Sequence, residues 1–214
     1  MAPQRSTQLP AGLARVPLRT VRAQHANDIY AYPGQELARL TDRGLLHRVA
    51  KGFYVVVAQD MVGREWRPNL EATAVGIASA VYGPANAVLM GVSAARAHGA
   101  IPRAVATAVV AVPDQHRAIT LIDRPALVRF VKRDTKILDA ERIETSLGPA
   151  LVTSPEQTVL DLAHRPGLGD AEVEVASAVT VLYPRCDKQR LKMLAADQRR
   201  MASLRRAELW ARAT

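Results

Sequence analysis

The most constraining stretch of the sequence is RGLLHRVAKGFYVV, Arg43 to Val56, in which two apolar segments flank the short turn Ala50-Lys51-Gly52. Apolar, β-branched and aromatic residues on both sides of a glycine-containing turn predict a β-hairpin. The hairpin carries Arg48 before its turn and Lys51 within it. A buried turn would exclude such charges, and a fully solvated hairpin would not need so apolar a face. The sequence therefore predicts a hairpin that packs on one side and presents cations on the other.

Two short helices are predicted before this hairpin. The apolar residues of TVRAQHANDIYA, which begins at Thr20, recur at roughly helical spacing, and Pro33-Gly34 then interrupts the pattern. In QELARLTDRG, Leu37 and Leu40 face inward and Gly44 ends the helix. Two helices joined by a tight break and followed by two strands predict a winged helix-turn-helix, with the hairpin as its wing.

This arrangement predicts which side chains meet DNA. The outward face of the second helix would enter the major groove, where Gln35, Arg39 and Tyr32 would reach base edges. Arg43, Arg48 and Lys51 would hold phosphates and set the orientation. Two alternatives stay open at this point. One is a small α+β domain whose exposed arginines only maintain solubility, and the other is a winged helix that docks on protein without affinity for DNA.

The distribution of charge agrees with a polyanionic partner. Of the formal net charge of +9, residues 1–60 contribute eight basic and four acidic side chains, and residues 185–214 contribute nine and three. The intervening residues 61–184 hold twelve and thirteen. Basic ends around a nearly neutral middle are typical of an electrostatic footprint for nucleic acid, although a solvated basic face would give the same count.

The rest of the chain predicts a second, larger domain. Residues 1–57 are predicted to form an N-terminal arm, with a short helical turn near Leu13, and the winged helix. Residues 58–69 lack periodicity and are interpreted as a linker. Residues 70–214 are predicted to form a mixed α/β domain that ends in basic helices. The sharpest local signal is Ser154-Pro155-Glu156-Gln157, an N-cap, a proline at the first helical position and a Gln able to close a capping box. It predicts a helix to about His164. The predicted fold class is α+β.

Catalytic and metal chemistry are weakly indicated. Pro113-Asp114 followed by Asp134-Thr135-Lys136 matches the loose PD-(D/E)xK pattern of metal-dependent nucleases, which stays as an alternative. GVSAA, beginning at Gly91, lacks the last glycine of a nucleophile elbow. The histidines lie far apart, and a single cysteine, Cys186, excludes an internal disulfide. We therefore expect no enzyme activity and no metal or other cofactor. Without a long apolar run, the protein is expected in the cytoplasm.

Several stretches together resemble the AbiEi-type antitoxins. LARLTDRGLLHRVAKGFYVV resembles their N-terminal winged helix, AVLMGVSAARAHGAIP the opening of their second domain, and GPALVTSPEQTVLDLAHRPG a characteristic segment before their last helices. The resemblance runs from about residue 20 to residue 210 and is strongest to mycobacterial antitoxins paired with nucleotidyltransferase-like toxins.

The resemblance implies a two-domain antitoxin of a toxin–antitoxin pair. Its winged helix would bind inverted repeats of operator DNA and repress its own operon, as a homodimer if the operator is palindromic. Its second domain would help to neutralise the cognate toxin, with or without direct contact. The positions implied for DNA contact are those in the helix and wing named above, together with three around the first helix, whose sequence is less regular than usual for the family: Arg22, Gln24 and Tyr32.

Overall fold

The computed structural model describes residue 9 and residues 11–213 of the chain, so residues 1–8 and 10 of the predicted arm lie outside it. The N-terminal part contains a short helix near Leu13, as predicted. It continues with a 3-10 helix, a longer helix and three strands. The bounds are α1 Ala11–Ala14, β1 Thr20–Arg22, a 3-10 helix Ala23–Asp28, α2 Pro33–Asp42, β2 Leu46–Ala50 and β3 Phe53–Val56.

The predicted helix beginning at Thr20 is wrong in its first turn. Residues Thr20–Arg22 form strand β1, which pairs antiparallel with β3, so the small sheet has the order β1-β3-β2. Thr20 and Val21 are β-branched and fully buried in this sheet, an environment that overrides a weak helical periodicity. The second predicted helix is confirmed as α2, and Leu37 and Leu40 are buried as expected.

The remaining elements form one mixed sheet with helices on both sides. The sheet has the strand order β6-β7-β5-β4-β9-β8, with β5 and β7 parallel and β5 and β4 antiparallel. The strands are β4 Val88–Leu89, β5 Thr107–Val112, β6 Ile119–Thr120, β7 Leu127–Lys132, β8 Ala140–Thr145 and β9 Gly148–Thr153. The helices are α3 Leu70–Tyr82, α4 Gly91–Ala97, α5 Pro155–His164, α6 Glu172–Leu182, α7 Lys188–Asp197 and α8 Met201–Arg212.

Strand β5 explains how the two faces are covered. Its sequence TAVVAV is buried at every position, as expected for a strand with both faces covered. Val109 and Ala111 join a cluster formed with α4 to α8, whereas Ala108 and Val110 join a second cluster formed with α3. The alternation of a strand thus divides the core into a helical layer on each face. The α+β fold class predicted from the sequence is confirmed.

Helix α5 begins where the sequence predicts. Ser154 is its N-cap, and the Ser154 hydroxyl accepts a hydrogen bond from the Gln157 backbone N–H at 3.1 Å. The predicted capping box is wrong in its second half, because the backbone N–H of Ser154 donates to the carbonyl of Asp139. The Gln157 side chain is instead buried and hydrogen-bonds Asp161 and Gln198. The side-chain amide of Gln157 therefore bonds within the buried core and does not reach back to the N-cap backbone.

The small N-terminal sheet packs directly on helix α3. Val49, Phe53 and Val55 of the hairpin belong to the same apolar cluster as α3 and one face of the large sheet. The backbone N–H of Ile122 also donates to the carbonyl of Val49 at 2.9 Å. The hairpin is therefore held by a backbone hydrogen bond and by apolar burial of the residues next to its turn. None of the helices in the described ranges has the length and apolar character needed to span a bilayer.

Candidate nucleic-acid interface

Helix α2 has one buried and one exposed face. Leu37 and Leu40 pack in a cluster with Leu46 of the hairpin and with Val21 of β1. Side chains three or four positions apart share a helix face, and the opposite face carries exposed residues at that spacing. They are Tyr32, Gln35, Arg39 and Arg43. Four of the predicted contacts thus follow one another along one exposed surface.

Arg39 is paired within this surface. Its guanidinium donates from Nε and Nη2 to Glu36 Oε2, at 2.9 and 2.7 Å. The hydrogen bond to Glu36 raises the pKa of Arg39. Exposed pairs of this kind contribute little to stability because solvent screens them, so the Arg39 guanidinium can exchange Glu36 for another acceptor at little cost.

The hairpin presents its cations as predicted. Arg48 lies opposite Tyr54 in the β2–β3 register, and its guanidinium carbon stands 5.9 Å from the centre of the Tyr54 ring. Lys51 is exposed in the turn, and Gly52 beside it adopts a φ of 79°, which favours glycine. The Tyr54 ring orients Arg48, and the exposed turn leaves the Lys51 side chain in solvent.

The residues assigned to the first predicted helix are dispersed. Arg22 ends strand β1 and is half-buried; its charge acts on the hydroxyl of Tyr82 at the end of α3, opposing the burial that raises the pKa of that tyrosine. Gln24 lies in the 3-10 helix and is exposed. Tyr32 is 71% exposed at the start of α2. Of the three, Tyr32 alone joins the exposed face of α2.

A cluster of polar side chains lies beside the hairpin, and the sequence did not predict it. His47 Nε2 lies 2.8 Å from Asp123 Oδ2, and Arg124 donates both to Asp123 and to the carbonyl of Pro68. The Trp66 ring packs edge-on against His47. His47 is 76 residues from Asp123 and Arg124 is 56 from Pro68 in the sequence, so no local pattern predicts that they meet. Their contacts fix the hairpin against the larger sheet.

We expect Asp123→Asn to lower the free energy of unfolding by about 1–3 kcal/mol, because it removes the carboxylate shared by Arg124 and His47. Burial raises the pKa of Asp123, but the hydrogen bonds from Arg124 and His47 outweigh it and the net pKa is lowered. A depressed carboxyl pKa gives stability that is present above the unfolded-state pKa and is lost as pH falls through the folded value. Urea unfolding at pH 7 and in the acid range below about pH 4 checks both points. Equal losses for Asp123→Asn at the two pH values would contradict this assignment.

The structure also places the residues that the sequence offered for catalysis. Ser93 of GVSAA is fully buried on α4 and accepts a hydrogen bond from the Val109 backbone N–H at 2.8 Å. Asp114 and Asp134 each follow a strand of the parallel β5–β7 pair, but Asp134 accepts a hydrogen bond from the Lys136 backbone N–H in its own loop. Within residues 11–213, no group of three or more His, Cys, Asp or Glu side chains is arranged to hold a metal ion.

Comparison with known families identifies the larger domain. Residues 86–210 match the AbiEi antitoxin C-terminal domain, which is more than half of the chain. The chain belongs to the AbiEi antitoxin family. It is therefore an antitoxin of a toxin–antitoxin system, and its family is one of antitoxins rather than of enzymes. The match begins just before β4 and covers every later strand and all but the end of α8.

A solved structure shares the fold of this antitoxin. The crystal structure of the RV2827C protein from Mycobacterium tuberculosis superposes with a TM-score of 0.59 at 17% sequence identity, covering 90% of this chain and 71% of that chain. At this identity the likeness concerns the fold alone. It agrees with the mycobacterial resemblance of the sequence. No curated protein matches the chain significantly.

Proposed function

We propose that this antitoxin binds operator DNA through α2 and its hairpin, represses its own operon, and neutralises a nucleotidyltransferase-like toxin in the cytoplasm. The observation that carries the DNA-binding part is the set of four exposed cations on α2 and the hairpin, Arg39, Arg43, Arg48 and Lys51. The opposite surfaces of α2 and the hairpin are buried, so packing holds in place the backbone that carries these cations.

The two groups of side chains have different expected roles. Gln35 and Arg39 lie on the face of α2 that a groove would receive, and amide and guanidinium groups read base edges by paired hydrogen bonds. Arg43 follows the end of α2, and Arg48 and Lys51 flank the hairpin turn, where they would contact phosphates. Inverted repeats in the operator would call for two copies of the chain, one on each half-site.

Arg39→Ala and Lys51→Ala should separate these roles. If Arg39 reads a base, its loss weakens operator binding by about 1–3 kcal/mol and relaxes sequence preference, whereas Lys51→Ala weakens all duplexes about equally and reduces the salt slope by about one. Fluorescence anisotropy on operator and random duplexes at several salt concentrations measures both effects. Equal losses on the two duplexes for Arg39→Ala would remove its assignment as a base reader.

The toxin-directed part rests on membership of the antitoxin family and on the resemblance to antitoxins of nucleotidyltransferase-like toxins. We expect the neighbouring gene to encode a nucleotidyltransferase-like protein, and the test is to co-express that protein with this chain. Growth should stop when the toxin is expressed alone and resume with the full antitoxin. A promoter–reporter fusion in the same cells measures repression separately. Toxicity unchanged by the antitoxin would contradict the toxin assignment without affecting the DNA-binding assignment.

A further inference from the structure

A second basic site lies in the larger domain, away from α2 and the hairpin. A cavity of about 140 Å³ opens between the end of β7, the C-terminal end of α5 and the start of α8. Its polar lining consists of Lys132, Arg133, Asp161, His164, Arg165 and Arg200. Four permanent cations thus surround one carboxylate.

The position of the cavity follows from the topology of the sheet. Strands β5 and β7 are parallel and end together, with Val112 opposite Lys132 in the register. Val131, Lys132 and Arg133 at the carboxyl end of β7 form one wall of the cavity, and residues of α5 and the start of α8 form the other. The end of β7 therefore brings Lys132 and Arg133 next to Asp161 and Arg200.

The cations are not all neutralised by the protein. Arg133 and Arg200 donate to Asp161 Oδ1, at 3.2 and 2.6 Å. The side chains of Lys132 and Arg165 are exposed and make no hydrogen bond or ion pair with any residue that the structure describes. Burial and the charge of Arg200 lower the pKa of His164, in agreement with a positive potential in the cavity. The permanent cations of the lining therefore outnumber its single carboxylate.

Asp161 indicates that a ligand in this cavity should also carry a hydrogen-bond donor. Its side chain is 1% exposed, and Oδ1 receives hydrogen bonds from Arg133, Arg200 and Gln157. Its other oxygen, Oδ2, is buried without a hydrogen-bond partner among the described residues. An unpaired buried carboxylate oxygen is unfavourable, and a donor that reaches it from the cavity removes the penalty.

We infer that this cavity binds a phosphate that has a hydroxyl group next to it, as in a ribose 3′-phosphate. The phosphate would lie among Lys132, Arg165 and Arg200, and the hydroxyl would donate to Asp161 Oδ2. One water needs only about 10–15 Å³ of cavity, so there is room for both groups. RNA and free ribonucleotides share this chemistry, and DNA lacks the hydroxyl. This site is independent of the proposed contact between α2 and operator DNA.

The test is calorimetric titration of the full chain with uridine 3′-monophosphate and with its 2′-deoxy counterpart. Loss of one hydrogen bond to a carboxylate should weaken the deoxy ligand about ten-fold or more. Lys132→Ala and Arg165→Ala, both at exposed positions, should each weaken uridine 3′-monophosphate about five-fold or more. Asp161→Asn should abolish the preference for the ribose form. A short RNA that binds more tightly than uridine 3′-monophosphate would show that the site takes an RNA chain. Equal affinity for the RNA and the mononucleotide would show that it takes a free nucleotide.

Arg142→Ala is the matched control. Arg142 is an exposed arginine on β8, four strand spacings from β7 in the same sheet, or about 19 Å. Its replacement should leave binding unchanged. No binding of uridine 3′-monophosphate by the unaltered chain, equal affinity for the two ligands, or an equal loss in Arg142→Ala and Arg165→Ala would each overturn the inference. The exposed-residue variants keep the test valid if Asp161→Asn fails to fold.

Discussion

Asp161→Ala is expected to lower the free energy of unfolding by about 3–5 kcal/mol, because it leaves two partly buried guanidinium groups without their counter-charge. Arg133 and Arg200 are only 19% and 14% exposed, and both donate to Asp161. The Gln157 amide loses its acceptor at 3.0 Å as well. These partners come from α5, the residue before α8 and the loop after β7, so loss of Asp161 loosens the contact between the helices and the sheet.

Urea denaturation with the slope compared between variants measures this change. Asp197→Ala is the matched control, since Asp197 is an exposed aspartate at the end of α7 for which the structure gives no ion pair. It should change stability by less than about 0.5 kcal/mol. A loss below about 1 kcal/mol for Asp161→Ala would mean that Arg133 and Arg200 are adequately hydrated, and the central position given to Asp161 would be wrong.

Gly76→Ala should lower the free energy of unfolding by about 2–3 kcal/mol, although alanine is the better helix former. A Cβ at position 76 of α3 would stand 2.2 Å from the Thr20 hydroxyl oxygen and 3.2 Å from the Thr20 Cβ. Thr20 is held in strand β1 and donates its hydroxyl hydrogen to the carbonyl of Leu18 at 2.8 Å. The clash therefore falls on the contact between the N-terminal sheet and α3, where neither partner yields easily.

Gly34→Ala provides the comparison on helix α2. Nothing lies within 4 Å of a Cβ at this position, and its backbone is helical, so the substitution should stabilise the protein by up to about 1 kcal/mol. The double variant Thr20→Ala with Gly76→Ala removes the closest contact and should recover part of the loss. Thermal unfolding of the four proteins gives the signs directly. Stabilisation by Gly76→Ala alone would show that α3 and β1 are separated more widely than described.

The sequence predicted the parts of this fold that local chemistry determines. Helix α5 follows from a serine N-cap and a proline at the first helical position, and the hairpin follows from a glycine turn between apolar segments. Strand β1 was missed because Thr20 and Val21 obtain their conformation from pairing with β3, a partner more than thirty residues away. The Gln157 side chain was misassigned for a similar reason, since Gln198 and Asp161 compete for it only in the folded core.

The residues of the candidate interface also differ in whether local sequence or distant contacts determine their position. Tyr32, Gln35, Arg39 and Arg43 share a face because helical spacing places them there, and the structure keeps them together. Arg22 was grouped with them through a helix that is absent at that position. The cluster of His47, Asp123 and Trp66 could not be predicted, because these residues come from the hairpin, the segment after it and a loop of the large sheet.

The measurement that tests the central claim most directly is an electrophoretic mobility shift of the full chain on the DNA immediately upstream of its own gene. A scrambled duplex of equal length serves as competitor, and the salt concentration is varied. We predict selective retardation of the upstream duplex, with an affinity that falls steeply as salt is raised, because several cations release counterions from the phosphates. Equal retardation of both duplexes, or none at low salt, would contradict the account: α2 and the hairpin would then present their cations to something other than an operator.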